Sequence, residues 1–361
     1  MGHSTTLGTI IRFNSKIKRD IITNVSKIYT SKQIRNINST IFNLHQNLSS
    51  TESSTHNLSS SQYSTINEPE ILKFSQLAKE WWSPNGPVKL LHSMNPLRVS
   101  YIRQQLSKYN KEKLKKGQES GYETISAYDD QIPFKDLRIL DIGCGGGVLS
   151  ESLVRLGASV VGADASLENV QIARLHARKD PSLYSGPGIL EYECITAEKL
   201  LEKGESFDIV CAMEIIEHVN HPVEFLKTCA GLVKPGGHLF LSTISRTPLS
   251  YILTILLAER IFRIVPNGTH DFNNYLRPNE LQQIIEQIPN NNVDNSNIDM
   301  VNSTEKVNKS VYKRKSSEWG HITNITGIGV NPITGKWFEF NHWVPRRIQL
   351  DVNYLLTAKR N

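Results

Sequence analysis

The stretch Asp141-Ile142-Gly143-Cys144-Gly145-Gly146-Gly147 decides the fold of this chain. It closes the apolar run of residues 137–142 and precedes a helical pattern that ends near Gly157, so a short buried strand leads through a glycine-rich turn into a helix. In doubly wound sheets, such a turn lies at the carboxyl ends of parallel strands, where ligands bind.

The same alternation continues along the chain. Strands are predicted at residues 159–164, 189–195, 207–213, 239–244, 325–328 and 352–357, and helices at residues 167–178 and 223–233, with Pro235-Gly236-Gly237 as a turn before the strand at 239–244. Two further helices are predicted at residues 69–82 and 95–109, and polar insertions at residues 111–130 and 290–308. We therefore expect an α/β fold with a doubly wound, mostly parallel sheet and extra N-terminal helices.

The glycine-rich turn does not suit a pyrophosphate. The G-x-G-x-x-G fingerprint fails, because its sixth position is Val148 when counted from Gly143 and Ser150 when counted from Gly145. Asp141 stands two residues before the first glycine, where its carboxylate repels phosphate but favours an ammonium group. The glycines allow the backbone to lie against a flat, uncharged part of a ligand.

An acidic residue ends the next predicted strand. Asp164 follows the turn by about 20 residues, at a position where a carboxylate can accept hydrogen bonds from both hydroxyls of a ribose. An ammonium group, a ribose and no phosphate describe S-adenosylmethionine. The alternative is a tight turn between strand and helix with an incidental acid downstream.

A second polar group follows the strand at residues 207–213. Glu214, Glu217 and His218 have i, i+3 and i+4 spacing, which predicts two carboxylates and an imidazole on one face at the start of a helix. Two oxygens and one nitrogen suit Mg²⁺ or a softer divalent ion, which would lower the pKa of a bound catechol from the phenolic value near 10. Alternatively, the acid belongs to a site without a metal, and His218 acts as a base or only packs.

These features are similar to those of class I S-adenosylmethionine-dependent methyltransferases, and the chain more narrowly resembles the ubiquinone biosynthesis O-methyltransferase family. The resemblance covers the chain from about residue 70 to its end, apart from the two insertions. It is carried by Trp81-Trp82, Leu91-His92-Ser93-Met94-Asn95-Pro96-Leu97-Arg98, Asp141 to Glu151, Met213 to Val219, Val265-Pro266-Asn267-Gly268-Thr269-His270-Asp271, Gly329-Val330-Asn331-Pro332-Ile333-Thr334 and Asp351-Val352-Asn353-Tyr354.

The resemblance implies site residues and substrates. The implied cofactor site comprises Arg98, Gly143, Asp164 and Met213, to which the charge and backbone arguments add Asp141 and Gly145; the implied divalent metal lies at Glu214, Glu217 and His218. Arg98 could pair with the methionyl carboxylate or be a solvated helix arginine, and Met213 could face the adenine or lie in the core. The implied acceptors are a 3,4-dihydroxy-5-polyprenylbenzoate and demethylubiquinol.

The N-terminal sixty residues carry most of the chain's net charge of +6, with seven Lys and Arg against two acids. The rest is nearly neutral, which argues against a nucleic-acid partner. A basic amphipathic pattern over residues 10–28, followed by a Ser-rich tract, predicts a mitochondrial transit peptide and linker over residues 1–65 and one folded domain over residues 66–361. The alternative is a disordered tail without a targeting role.

Residues 249–265 combine leucines and isoleucines with basic side chains, which predicts an amphipathic lid helix. Such a helix could lie in a bilayer interface, on the matrix face of the mitochondrial inner membrane, or only cover the core. Other readings of the chain are a methyltransferase that acts on nitrogen or carbon and an inactive scaffold within a biosynthetic complex. The complex also stays open as a partner of the active enzyme.

Overall fold

The computed structural model describes residues 64–119, 131–261, 266, 268–288, 319–331, 334–340 and 345–361. The chain divides into two units, Met1–Tyr63 and Ser64–Asn361, and the described residues all belong to the second. The predicted transit peptide, apart from residues 64 and 65, and the predicted insertion at residues 290–308 lie outside the described residues.

The strands are β1 Arg138–Ile142, β2 Ser159–Asp164, β3 Ile189–Cys194, β4 Phe207–Met213, β5 Val233–Ile244, β6 Trp319–Val330, β7 Trp337–Glu339 and β8 Asn353–Arg360. They form one sheet in the order β3-β2-β1-β4-β5-β8-β6-β7. Strands β1 to β5 are parallel, whereas β8 runs antiparallel between β5 and β6, and β7 is antiparallel to β6. The predicted doubly wound, mostly parallel fold is confirmed.

The helices are α1 Glu68–Leu77, α2 Lys89–Glu119, α3 Val148–Arg155, α4 Leu167–Ala177, α5 Ser182–Ser185, α6 Ala197–Glu202, α7 Pro222–Gly231, α8 Pro248–Ser250, α9 Pro278–Glu286 and α10 Arg346–Gln349. Short 3₁₀ turns lie at Ala78–Glu80, Ile216–His218 and Phe272–Asn274, and a π-helix spans Tyr251–Ile261. The core lies on both faces of the sheet. Leu140 and Phe207 belong to one buried cluster, and Ile139 and Phe240 to the other, because neighbouring strand residues point to opposite faces.

Helix α2 corrects two predictions. It begins at Lys89 rather than near Pro96, which lies inside it, and it continues to Glu119 into the stretch predicted as a loop. Burial of Tyr101 and Ile102 against the sheet stabilises the helix despite the proline. A run of polar residues does not prevent a solvated helix from continuing.

Three further differences concern β5, β7 and the predicted lid. Pro235-Gly236-Gly237 is not a turn before the strand but lies within β5, where the pairing register with β4 shifts between Phe207 and Ile209 and Gly236 has a φ of 79°. Strand β7 was not predicted. The predicted lid helix is a π-helix over Tyr251–Ile261, and residues 262–265 lie outside the described part of the chain.

Candidate active site

A cleft opens where β1, β2 and β4 end. It is lined by eight of the nine residues that the sequence singled out: Arg98, Asp141, Gly143, Gly145, Asp164, Met213, Glu214 and His218. The ninth, Glu217, is buried beside the cleft with 4% of its surface exposed. Parallel strands place their carboxyl ends at one edge of the sheet, so residues far apart in sequence meet there.

The glycine loop, residues 143–147, has a backbone conformation that residues with a side chain rarely adopt. Gly143, Gly145 and Gly147 have φ values of 72°, 54° and 85°, in the left-handed region. A Cβ at Gly145 would also collide with the indole of Trp81, which packs over the loop. The N–H groups of Gly143 and Cys144 both donate to the carbonyl of Ala163, at 2.8 and 3.1 Å, and hold the loop against β2.

Asp164 is held by the loop that it faces. Its Oδ2 accepts from the N–H of Gly145 at 2.9 Å, and its Oδ1 accepts from the N–H of Ser166 at 2.8 Å. Burial raises the pKa of Asp164, although these hydrogen bonds lower it in part. Oδ2 can accept a further hydrogen bond, and the contact of Oδ1 with Asn169 Nδ2 is long, at 3.4 Å, so two hydroxyl donors on neighbouring carbons fit this acid.

Two residues without a predicted role support Asp164. The indole Nε1 of Trp81 donates to Asn169 Oδ1 at 3.0 Å, and Asn169 Nδ2 in turn lies 3.4 Å from Asp164 Oδ1. Trp81 is part of a stretch that carries the family resemblance, which was its only signal in the sequence. Asn169 gave no signal, because its contact with Trp81 spans 88 positions of the chain.

Asp141 lies beneath the glycine loop with 3% of its surface exposed. Its Oδ2 accepts from the hydroxyl of Ser150 at 2.6 Å. Burial raises the pKa of Asp141 to about 6, opposed by the Ser150 hydroxyl and the charge of Arg98. A cation that enters the cleft would stabilise the ionised form of this acid.

Arg98, on α2, is a buried cation with few partners among the described residues. Only 5% of it is exposed, and its Nε and Nη2 have no hydrogen-bond partner among the described residues. Arg98 forms an ion pair with Glu214, and the distance of 3.9 Å between Arg98 Nη2 and Glu214 Oε1 is too long for a hydrogen bond. Burial lowers the pKa of Arg98. An unsatisfied guanidinium in a cleft marks a place for an anion.

The prediction that Glu214, Glu217 and His218 share one helical face is wrong. Glu214 has a φ of 56°, in the left-handed region, and only a 3₁₀ turn follows it. Glu217 therefore points to β5, where it accepts from the hydroxyl of Thr243 at 2.9 Å. His218 turns to α1, with its Nδ1 2.7 Å from Glu70 Oε2.

These three residues do not form the predicted metal centre in this arrangement. Their donor atoms suit Mg²⁺, and Glu214 Oε1 has no hydrogen-bond partner in the described part of the chain. However, no group of three or more His, Cys, Asp or Glu side chains that could hold a metal occurs among the residues that the structure describes. Burial, and then the charge of Glu214, raise the pKa of Glu217 to about 7.

The side of the cleft formed by α1 contains residues that the sequence analysis did not assign. Glu70 and Phe74 of α1 line it, and Phe74 meets the His218 ring edge-on at 4.9 Å between centroids. Nearby, buried Glu259 accepts from the N–H groups of Gly268 and His270 at 2.7 and 2.8 Å. The stretch around His270 carries the family resemblance, but only the fold brings it to this side.

Comparisons with known proteins show what this chain is similar to. Residues 140–241 match the family described as "Methyltransferase domain". The chain is 40% identical over 297 residues to "Ubiquinone biosynthesis O-methyltransferase" of Rhizobium etli. This alignment covers 82% of this chain and 97% of the relative. It is 39% identical over 295 residues to "Ubiquinone biosynthesis O-methyltransferase, mitochondrial" of Arabidopsis thaliana, which covers 81% of this chain and 77% of the relative.

Proposed function

The chain belongs to the ubiquinone biosynthesis O-methyltransferase family, and from that premise we propose that it methylates a catechol hydroxyl of 3,4-dihydroxy-5-polyprenylbenzoate and of demethylubiquinol. The family and the S-adenosylmethionine-dependent activity that the motifs predicted are thereby confirmed. The observation that supports the residue roles best is the buried guanidinium of Arg98, which lines the cleft beside the glycine loop and whose Nε and Nη2 have no hydrogen-bond partner among the described residues.

We assign each end of S-adenosylmethionine to a part of the cleft. Arg98 binds the methionyl carboxylate and Asp141 the ammonium group, because their charges are opposite to those of the ligand. Asp164 accepts hydrogen bonds from the ribose hydroxyls, and the backbone of Gly143 and Gly145 lies against the ligand. Met213, at the end of β4, faces the adenine. When bound, the sulfonium supplies the methyl group.

The acceptor oxygen has to lose its proton before it attacks the methyl group in line, because a phenol is largely protonated at neutral pH. We propose that the Nε2 of His218 accepts this proton, since its Nδ1 is engaged by Glu70 and its ring lines the cleft. Glu214 also lines the cleft, and Glu217 lies beside it, within electrostatic reach of the histidine.

Methyl transfer to a short-chain demethylubiquinol tests this function. The wild type should methylate it, Asp164→Ala should bind the donor at least about 100-fold more weakly in calorimetry, and Glu217→Ala should lose turnover but still bind the donor. A wild type that binds S-adenosylmethionine but methylates only amines or carbon acids would contradict the acceptor class. No heat with that donor, together with binding of NAD or ATP, would contradict the cofactor assignment.

The magnesium prediction is tested separately. Glu214, Glu217 and His218 provide suitable donor atoms but are not gathered as ligands, so their use by Mg²⁺ requires side chains to rearrange. Exhaustive treatment with EDTA, followed by addition of Mg²⁺, would abolish and restore turnover if an ion assists. Unchanged turnover after chelation would refute the metal role and leave the histidine as the base.

We further propose that the enzyme works in the mitochondrion, on the matrix face of the inner membrane. The Arabidopsis relative that is named mitochondrial supports this location. On the π-helix, Tyr251, Leu253 and Leu256 are exposed, which suits contact with a bilayer interface. No helix among the described residues is long and apolar enough to cross a membrane. Membership in a biosynthetic complex stays a prediction.

Liposome flotation tests the membrane contact. The double variant Leu253→Glu/Leu256→Glu should float less than the wild type, because charged groups resist burial in the interface. Val223→Glu, on α7, changes a residue of similar exposure away from the π-helix and should float as the wild type does. Equal flotation of all three proteins would refute the contact.

A further inference from the structure

Helix α1 contributes a carboxylate to the side of the cleft where the acceptor is proposed to bind. Glu70 Oε2 lies 2.7 Å from His218 Nδ1, and the two side chains are 23% and 15% exposed. They are 148 positions apart in the chain, so this contact exists only in the folded protein. Phe74, one turn further along α1, packs edge-on against the same ring.

The carboxylate of Glu70 also forms an ion pair with a lysine of its own helix. Lys73 Nζ donates to Glu70 Oε1 and Oε2 at 3.0 and 3.1 Å, and it also donates to the carbonyls of Gly268 and Thr269 at 2.9 and 3.1 Å. This ion pair is partly exposed, with 26% of the Lys73 side chain and 23% of the Glu70 side chain accessible, so it contributes little to the position of the Glu70 carboxylate.

Helix α1 does not need Glu70 to stay in position. The hydroxyls of Ser75 and Ser166 lie 2.7 Å apart, and Asn220 donates to the carbonyls of Thr65 and Ile66 just before α1. Lys73 also links the helix to the loop at Gly268. The Glu70–His218 hydrogen bond is therefore available for a role other than anchoring.

We propose that Glu70 is a positioning residue for methyl transfer: it accepts the Nδ1 proton of His218 and thereby directs the Nε2 lone pair into the cleft, towards the acceptor hydroxyl. In a neutral imidazole one nitrogen donates and the other accepts, so an acceptor at Nδ1 determines which nitrogen is free. This inference rests on the proposed function, because it assigns Nε2 to the acceptor oxygen.

Three variants test the role of Glu70. Glu70→Met removes the acceptor with little loss of volume and should lower kcat by about 10-fold to 100-fold, the range typical of residues that orient a site histidine. Glu70→Gln keeps an acceptor oxygen and should retain most of the turnover. The matched control Lys73→Met leaves the Glu70–His218 pair intact and should change kcat by less than about threefold. All three should bind S-adenosylmethionine as the wild type does in calorimetry.

A spectroscopic measurement separates positioning from helix anchoring. In ¹⁵N NMR spectra of histidine-labelled protein, His218 should be protonated at Nδ1 in the wild type, in Glu70→Gln and in Lys73→Met, and should lose this single tautomer in Glu70→Met. Equal losses of turnover in Glu70→Met and Lys73→Met would show a structural role and overturn the proposal. Full activity of Glu70→Met would also overturn it.

The outcomes distinguish this inference from the proposed function. If the wild type does not methylate the demethylubiquinol analogue, the proposed function fails, whereas an active wild type with an equally active Glu70→Met refutes only the role of Glu70. If Glu70→Met does not fold, Glu70→Gln decides, because full activity of that variant with His218 unprotonated at Nδ1 contradicts the proposal.

Discussion

On the glycine-loop side of the cleft, the carboxylate of Asp164 is held by N–H groups of Gly145 and Ser166, which lie 19 and 2 positions away in the chain. On the acceptor side, His218 depends on Glu70, 148 positions away. The first side is built from turns between neighbouring strands, and the second from separate segments that meet only through packing. Substitutions on the first side should therefore weaken cofactor binding, whereas substitutions on the second should mainly change turnover.

The largest effect is expected at Asp164. Asp164→Ala removes two ribose acceptors and leaves the N–H of Gly145 without its partner, so the affinity for S-adenosylmethionine should fall at least about 100-fold. Calorimetry would measure the change. Glu191→Gln, an exposed acid on the neighbouring strand β3, is the control and should bind normally. Tight binding of S-adenosylmethionine by Asp164→Ala would contradict the assignment of this side of the cleft to the cofactor.

Arg98 should give the next largest effect. Arg98→Met should weaken S-adenosylmethionine about 10-fold to 100-fold, because a charge-assisted hydrogen bond to the methionyl carboxylate is lost. Methylthioadenosine lacks that carboxylate, so its affinity should be the same for the wild type and the variant. An equal loss of affinity for both ligands would show that Arg98 supports the cleft without binding the carboxylate.

Glu217, on the acceptor side, should lower stability at neutral and alkaline pH. Because burial raises the pKa of Glu217 to about 7, the folded state holds its proton more tightly than the unfolded state, and stability falls as the pH rises from 4.5 towards 7. Glu217→Gln should therefore increase the free energy of unfolding by about 1–2 kcal/mol at about pH 8 and by little near pH 4.5.

Urea unfolding of both proteins at the two pH values measures this difference. The same variant should lose turnover, since the acceptor side then lacks a negative charge. A difference in stability that does not change with pH would mean that the carboxylate is not destabilised by its burial.

The smallest effect is expected at Trp81. Trp81→Phe keeps an aromatic ring over Gly145 and Gly146 but removes the hydrogen bond to Asn169, which supports Asp164 only indirectly. The affinity for S-adenosylmethionine should fall about twofold to fivefold, and kcat should stay nearly unchanged. A large loss of kcat with normal cofactor affinity would show that Trp81 acts on methyl transfer to the acceptor and not on cofactor binding.

Sequence reasoning was accurate where the pattern was local. Strands β2 and β4 begin and end where they were predicted, at Ser159–Asp164 and Phe207–Met213. An acidic residue stands at or just after the end of each buried run, Asp164 in β2 and Glu214 after β4, and it marks the boundary of the strand. The same local pattern placed Asp164 at the end of β2, and it lines the cleft.

Sequence reasoning failed where backbone conformation or distant packing overrode the pattern. A helix that began at Glu214 would place Glu214, Glu217 and His218 on one face. Glu214 instead adopts a left-handed conformation, so no helix begins there. Pro235-Gly236-Gly237 has the composition of a turn, yet pairing with β4 keeps it within β5. The wrong loop assignment after residue 110 came from polarity, which reports solvation rather than chain conformation.

The order of residues along the chain was enough to establish the parallel sheet, the glycine loop and the acid of Asp164, because each depends on hydrophobic period and turn chemistry within a few neighbouring positions. The pairing of Glu70 with His218, the burial of the Arg98 guanidinium and the support of Asp164 by Trp81 emerged only from the folded chain. These contacts join segments separated by many positions, and their geometry follows from how helices pack on the sheet, which no local pattern encodes.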